Sequence, residues 1–140
     1  RRRGLEVYYG NADDTEFLKR CGLMDAAAVI VTVRSRAETD AIVAQARALC
    51  PDIVIISRAR DAAHARHLYA IGVTDAVPET IEASLQLSEA VLIGLGRAAG
   101  PGIASIHEMR DEFRRDLQQA AGAAGRPTTL AIRSTTRRAP

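Results

Sequence analysis

The chain has 140 residues and a mass of 15.0 kDa, room for one domain around one core and too little for a large multidomain enzyme. At 47% hydrophobic and 26% charged, with 10 Gly and 5 Pro, it is neither collagen-like nor low-complexity, and the absence of Trp, with 4% aromatics, leaves little to stack bases on. The net charge of +2 belongs to Arg1, Arg2, Arg3, Arg126, Arg133, Arg137 and Arg138 at the ends; residues 4–125 carry 12 basic against 17 acidic side chains, a net of −5, the wrong sign for a surface that tracks phosphates, so no nucleic-acid partner is expected.

Leu5 to Tyr9 reads as a short strand ending at Gly10. The polar Asn11-Ala12-Asp13-Asp14 turn follows, and then a helix over Thr15 to Cys21, capped by Asp13 or Asp14 and stopped by Gly22 in the left-handed conformation. Ala27 to Val33 is an uninterrupted apolar strand of the kind buried on both faces, followed by a helix over Ala37 to Leu49 with Ile42, Ala46 and Leu49 on one stripe. Pro51 prevents that helix from continuing, and Ile53 to Ser57 is a third strand. A helix over Ala62 to Ile71, carrying Ala65, Leu68 and Ala70, stops at Gly72. Thr74 to Val77 is a fourth strand, and Pro78 opens a long helix over Glu79 to Leu95. Apolar strands alternating with helices imply right-handed βαβ crossovers and a parallel sheet covered on both faces.

The helix from Glu79 is apolar over more than half its circumference, through Ile81, Leu85, Leu87, Val91, Leu92, Ile93 and Leu95. One sheet face cannot cover them all. Its second burial partner is either a neighbouring subunit, with Ile81, Leu85 and Leu92 at a dimer interface, or Ile103 to Leu117 folded back on it. Gly94 to Gly102, with four Gly and a Pro, forms a hinge or linker, and residues 123–140 read as a flexible tail.

Cys21 and Cys50 are too few for a disulfide framework or a zinc site, so reduced thiols in a cytoplasmic compartment are expected. The longest apolar run, Ala26 to Val33, is far short of the roughly 18 to 20 residues that span a bilayer, and no signal peptide is expected. His64 and His67 could share a helix face but lack a third metal ligand at a recognised spacing; His107 is on another helix. No nucleophile-base motif or phosphate-binding lysine loop is present, the only lysine being Lys19. A catalytic site within this chain is therefore not expected. Gly10-Asn11-Ala12 could offer exposed amides to an adenine edge or a phosphate, or serve only as a structural turn. Arg58 and Arg60, just before a helix start, suit an anion, or else Arg60 forms a surface ion pair with Asp61 or Glu79.

The ordered series Val7-Tyr8-Tyr9-Gly10-Asn11-Ala12, Ala28-Val29-Ile30-Val31, Ile55-Ile56-Ser57-Arg58-Ala59-Arg60-Asp61, Gly72-Val73 and Val77-Pro78-Glu79 resembles the later half of an RCK (TrkA-N) domain. That family regulates bacterial potassium channels and transporters. Arg58-Ala59-Arg60-Asp61 with His64 is most similar to the cytoplasmic domain of Kef-type potassium/proton antiporters. The resemblance covers about residues 1 to 97, and more loosely reaches 118. It implies a partial Rossmann-like α/β fold of four parallel strands with flanking helices over residues 1–97, then a linker and C-terminal helix over 98–122. Family members open with a strand and a G-x-G-x-x-G turn. Here Arg1 to Gly4 would correspond to the end of the second helix, so the chain reads as a domain without its first two strands, either truncated or paired with a separate polypeptide. With those central strands missing, the strand at Leu5 would pair directly beside that at Ala27, or another chain would complete the sheet.

The resemblance also implies ligands and partners. Gly10, Asn11 and Ala12 would contact the adenine, and Thr32, Val33 and Arg34 the ribose, of NAD(H) or an AMP- or ATP-type nucleotide bound to the complete domain. Arg58 and Arg60 would belong to a glutathione-type anion site, and Glu79 would lie at a dimer interface where it could meet a cation. No metal is expected. The function so implied is regulation of a potassium efflux transporter at the cytoplasmic face of the inner membrane. The module would be a homodimer tied to a membrane transporter domain in the same or a separate polypeptide. Its rival is half of an NAD-dependent dehydrogenase, which needs a substrate acid or base near the sheet edge that this chain does not supply. A receiver-like signalling domain would need an acidic cluster at strand ends and a late lysine, and neither is present.

Overall fold

The computed structural model describes residues 8–96 and 100–122. The elements in chain order are α1 (Thr15–Arg20), a short 3-10 turn (Leu23–Asp25), β1 (Ala28–Val31), α2 (Arg36–Leu49), β2 (Val54–Ala59), α3 (Ala62–Ile71), β3 (Asp75–Pro78), α4 (Glu79–Gly94) and α5 (Pro101–Ala120). Local chemistry sets most of these limits. Asp14 caps α1 by accepting from the Glu16 amide, Ser35 caps α2 through the Glu38 amide and Asp61 caps α3 through the His64 amide. Gly22 and Gly72 supply the left-handed turns after α1 and α3, at φ 86° and 114°. Helix α5 starts inside the expected linker because Pro101 suits a first helical position, where no amide is needed.

The strands pair in parallel in the order β1-β2-β3, with Val29 opposite Ile55, Val31 opposite Ser57 and Ser57 opposite Ala76. Among the described residues the sheet has three strands, not the expected four. Leu5 to Val7 lie outside the described residues, and Tyr8 and Tyr9 are in no strand. Along β2 the side chains alternate: Ile55, Ser57 and Ala59 are buried, while Val54, Ile56 and Arg58 are only half-buried. The buried face meets Val43, Ala46, Ala65 and Leu68 in the main core. Successive crossovers of the same hand put both connecting helices on one side of a sheet, and α2 and α3 pack against each other as well as against β2.

The other face corrects the expectation of two-sided burial. Ala28, Ile30, Val54, Ile56 and Val77 share it, none is buried, and Ile30 is 71% exposed. Among the described residues β1 pairs with β2 alone. Its apolar run is continuous, but only alternate residues are used within this chain. In α3 the buried residues are His64, Ala65, Leu68 and Tyr69, and Ala70 is exposed.

At the amino ends of β2 and β3 the guanidinium of Arg47 closes the layer. Its Nε and Nη2 donate to the Gly72 carbonyl at 2.9 and 2.7 Å, and Nη1 donates to the carbonyls of Pro51 and Ile53 at 2.8 and 2.7 Å. One side chain of α2 thereby ties the turn before β2 to the turn before β3. A Cβ on Gly72 would lie 3.1 Å from Arg47 Cγ, so close approach and the left-handed backbone both call for glycine there.

Helix α5 packs against α3 and α4, burying Ile106 and Leu117. Arg110 reaches Glu82 and Arg114 reaches Asp75. Asp75 also accepts from the Tyr69 hydroxyl at 2.7 Å, and that oxygen in turn accepts from the Ala76 amide. Burial, first of all, pushes the Tyr69 phenol up to about 12, and the neighbouring Asp75 acts in the same direction.

Two stability measurements follow from these contacts. Arg47→Lys keeps the charge but loses the planar fork, and its urea midpoint should fall by the equivalent of about 2 kcal/mol at unchanged slope. Tyr69 stays neutral in the fold after it would ionise in the unfolded chain. Its contribution is therefore complete below pH 10 and lost as pH rises from about 10 to about 12, a loss of about 2 kcal/mol that Tyr69→Phe should not show.

Candidate functional site

Parallel pairing sends all three strands out at one edge, and the loops beyond them enclose an open cleft of about 310 Å³ lined by Val33, Arg34, Arg58, Arg60, His64 and Glu79. Each loop is fixed from beneath. The Thr39 hydroxyl lies 2.9 Å from the Ser35 carbonyl and 3.3 Å from that of Val33, which holds the loop after β1 over α2. The turn after β2 is fastened through Asp61, whose carboxylate accepts the His64 amide at 2.8 Å. That bond, ahead of the charges of Arg36 and Arg60, holds the Asp61 carboxyl below its ordinary range. Glu79, following β3, forms an ion pair with Arg58.

The cleft therefore places three guanidiniums beside the amino ends of α2 and α3, where unpaired amides and the helix dipoles also favour negative charge. Among the described residues Arg34 and Arg60 have no carboxylate partner, and both are exposed. Among the described residues the expected pair of Arg60 with Asp61 or Glu79 is not formed; Glu79 pairs with Arg58 instead. Asp61 serves as a helix cap, and Glu79 reaches across to β2 instead of capping α4, which has no side-chain cap bond.

Four of the expected ligand residues meet here: Val33, Arg34, Arg58 and Arg60. Thr32 is exposed on the same loop but does not line the cleft. Gly10, Asn11 and Ala12 do not line it either. They form the turn into α1, where the Asn11 carbonyl accepts the Asp14 amide at 3.1 Å and a Cβ on Gly10 would meet the ring of Phe17 at 2.2 Å. His64 and His67 both turn to Asp40, with Nε2 to carboxylate distances of 3.0 Å each. Among the described residues no group of three or more His, Cys, Asp or Glu is placed to hold a metal. Asp40 was not legible as part of this site; its only trace in the sequence is its place one turn into α2.

The expected dimer residues divide. Leu85 is 2% exposed and Ile81 packs against the core, so the fold-back of α5 has taken that side of α4; Leu92 is half-buried. The apolar side chains that α4 leaves in water are Leu87, Val91, Ile93 and Leu95. Among the described residues no helix is long and apolar enough to cross a membrane.

Parallel strands with connecting helices and a charged cleft at the carboxyl edge define a Rossmann-like α/β domain. The family model for the TrkA-N domain matches residues 1–79, more than half of the chain, and the chain belongs to the TrkA-N family. Among solved structures it is similar to the Kef CTD of Shewanella denitrificans in its AMP-bound form. The two share 25% identity at a TM-score of 0.72, over 83% of this chain and 73% of that one. The expected kinship with RCK (TrkA-N) domains, and with that of Kef among them, is thereby shown.

Proposed function

We propose that this chain is the ligand-sensing part of a regulatory domain that controls a potassium efflux transporter from the cytoplasmic face of the inner membrane. The observation that carries this reading is the convergence of Arg34, Arg58 and Arg60 over the amino ends of two helices, in a chain of the TrkA-N family. The likeness to an AMP-bound Kef CTD supports a nucleotide as ligand, with AMP- or ATP-type compounds and NAD(H) as candidates. Its phosphate would sit at the arginines and its ribose against Val33 and Arg34. A glutathione-type anion is the second candidate for Arg58 and Arg60. The chain's role is to bind and signal, without turning over its ligand.

Binding controls a transporter only if the ligand prefers one of two arrangements. A coupling of about 1 to 3 kcal/mol, or roughly 5- to 150-fold, is enough. The two arrangements are those of a homodimer formed through Leu87, Val91, Ile93 and Leu95 of α4, whose exposed apolar side chains call for a partner. The open sheet face is covered in this reading by a further βα layer, in the same polypeptide or a separate one.

Calorimetry with AMP, NADH and glutathione on the domain tests the ligand assignment. Arg58→Glu combined with Arg60→Glu should weaken the bound anion by about 30-fold or more, and unchanged affinity for all three removes the assignment. Sedimentation tests the dimer: Leu87→Asp with Val91→Asp should give monomers with an intact circular dichroism spectrum, and an unaltered dimer places the interface elsewhere.

A further inference from the structure

His64 lines the cleft, yet the residue is 3% exposed and both ring nitrogens are committed. Nδ1 accepts the backbone amide of Arg60 at 3.1 Å, and Nε2 lies 3.0 Å from Asp40 Oδ1. An acceptor at Nδ1 leaves the ring's single proton on Nε2, where it is donated to the carboxylate, so these partners select the neutral Nε2–H tautomer. The Arg60 amide belongs to the turn that presents Arg58 and Arg60 to the cleft. The next residue, Asp61, accepts the backbone amide of His64 itself. Ring and backbone of one residue therefore grip the arginine turn from both sides and fasten it to α2 and α3.

We propose that His64 is a positioning residue for the anion cleft and acts only in its neutral form. This rests on the cleft being an anion site. A proton on Nδ1 would turn the acceptor into a donor aimed at the Arg60 N–H. The two donors repel, the turn leaves its seat and the arginines lose their common focus. Of the charged and titratable groups around the ring, Asp40 from α2 meets it directly and is shared with His67 from α3 through Oδ2; Arg58, Arg60 and Asp61 come from the turn, and Arg36 from α2 acts on Asp61. Arg34 and Glu79 complete the set from the loops after β1 and β3. Protonation places one more positive charge in this cluster. By charge alone it would tighten the hold on an anion, whereas loss of the seat loosens it. The sign of the pH dependence separates the two.

The experiment compares wild type, His64→Leu and His64→Asn with AMP as probe between about pH 8 and pH 5, the range in which histidine ordinarily changes charge. Asn restores an oxygen acceptor for the Arg60 amide and does not titrate. His64→Leu should bind weakly throughout. His64→Asn should recover binding at pH 8, and wild-type affinity relative to it should fall about tenfold by pH 5; taking the ratio removes the titration of the phosphate itself. A ratio that stays constant or rises on acidification overturns the proposal. In the free protein, nitrogen-15 shifts should show Nδ1 of His64 as an acceptor at pH 8 and the Arg60 amide titrating with the ring. A proton on Nδ1 at pH 8, or an Arg60 amide indifferent to the ring's charge, also overturns it. This measurement needs no ligand, so a protein that binds no AMP at any pH refutes the nucleotide reading while the role of His64 is still decided.

Discussion

Arg47 spends its whole guanidinium on backbone carbonyls and the Thr74 hydroxyl region between α2, β2 and β3. Those carbonyls, of Pro51, Ile53 and Gly72, lie in turns outside any helix or strand, and a planar cation with five donors donates to them together. The amino ends of the strands are thereby closed. At the opposite edge no such saturation occurs: Arg34 and Arg60 point into a cleft without carboxylate partners among the described residues, and Arg58 has one. The same residue type is structural where carbonyls surround it and lines an open cleft where they do not. The division follows from strand direction alone, since parallel pairing collects one kind of loop at each edge.

Much of this was readable in the residues. The helix limits stand where Asp14, Gly22 and Gly72 place them, because caps and left-handed turns are decided within a few residues of chain. The strands were legible from their β-branched runs, and Arg58 and Arg60 from their position between a strand and a helix. The resemblance of the ordered motifs located the family, and the family model confirmed it.

What stayed hidden depends on contacts far apart in sequence. Arg47 meets Gly72 across 25 positions and Asp40 meets His64 across 24, distances at which periodicity carries no signal. The one-sided sheet was misread for a related reason: a continuous apolar run such as Ala28 to Val31 says that both faces are fit for burial, not that both are buried within this chain. Likewise Leu85 and Leu87 are equally apolar on paper. Only the return of α5 decides that the first is covered and the second stays wet.

The apolar side chains that Ala28, Ile30, Val54, Ile56 and Val77 leave open on one sheet face also govern how the polypeptide behaves before any partner arrives. Such a patch favours self-association, and no proline or charged side chain interrupts Ala28-Val29-Ile30-Val31 to discourage it. Whatever covers that face would thus serve solubility as much as binding.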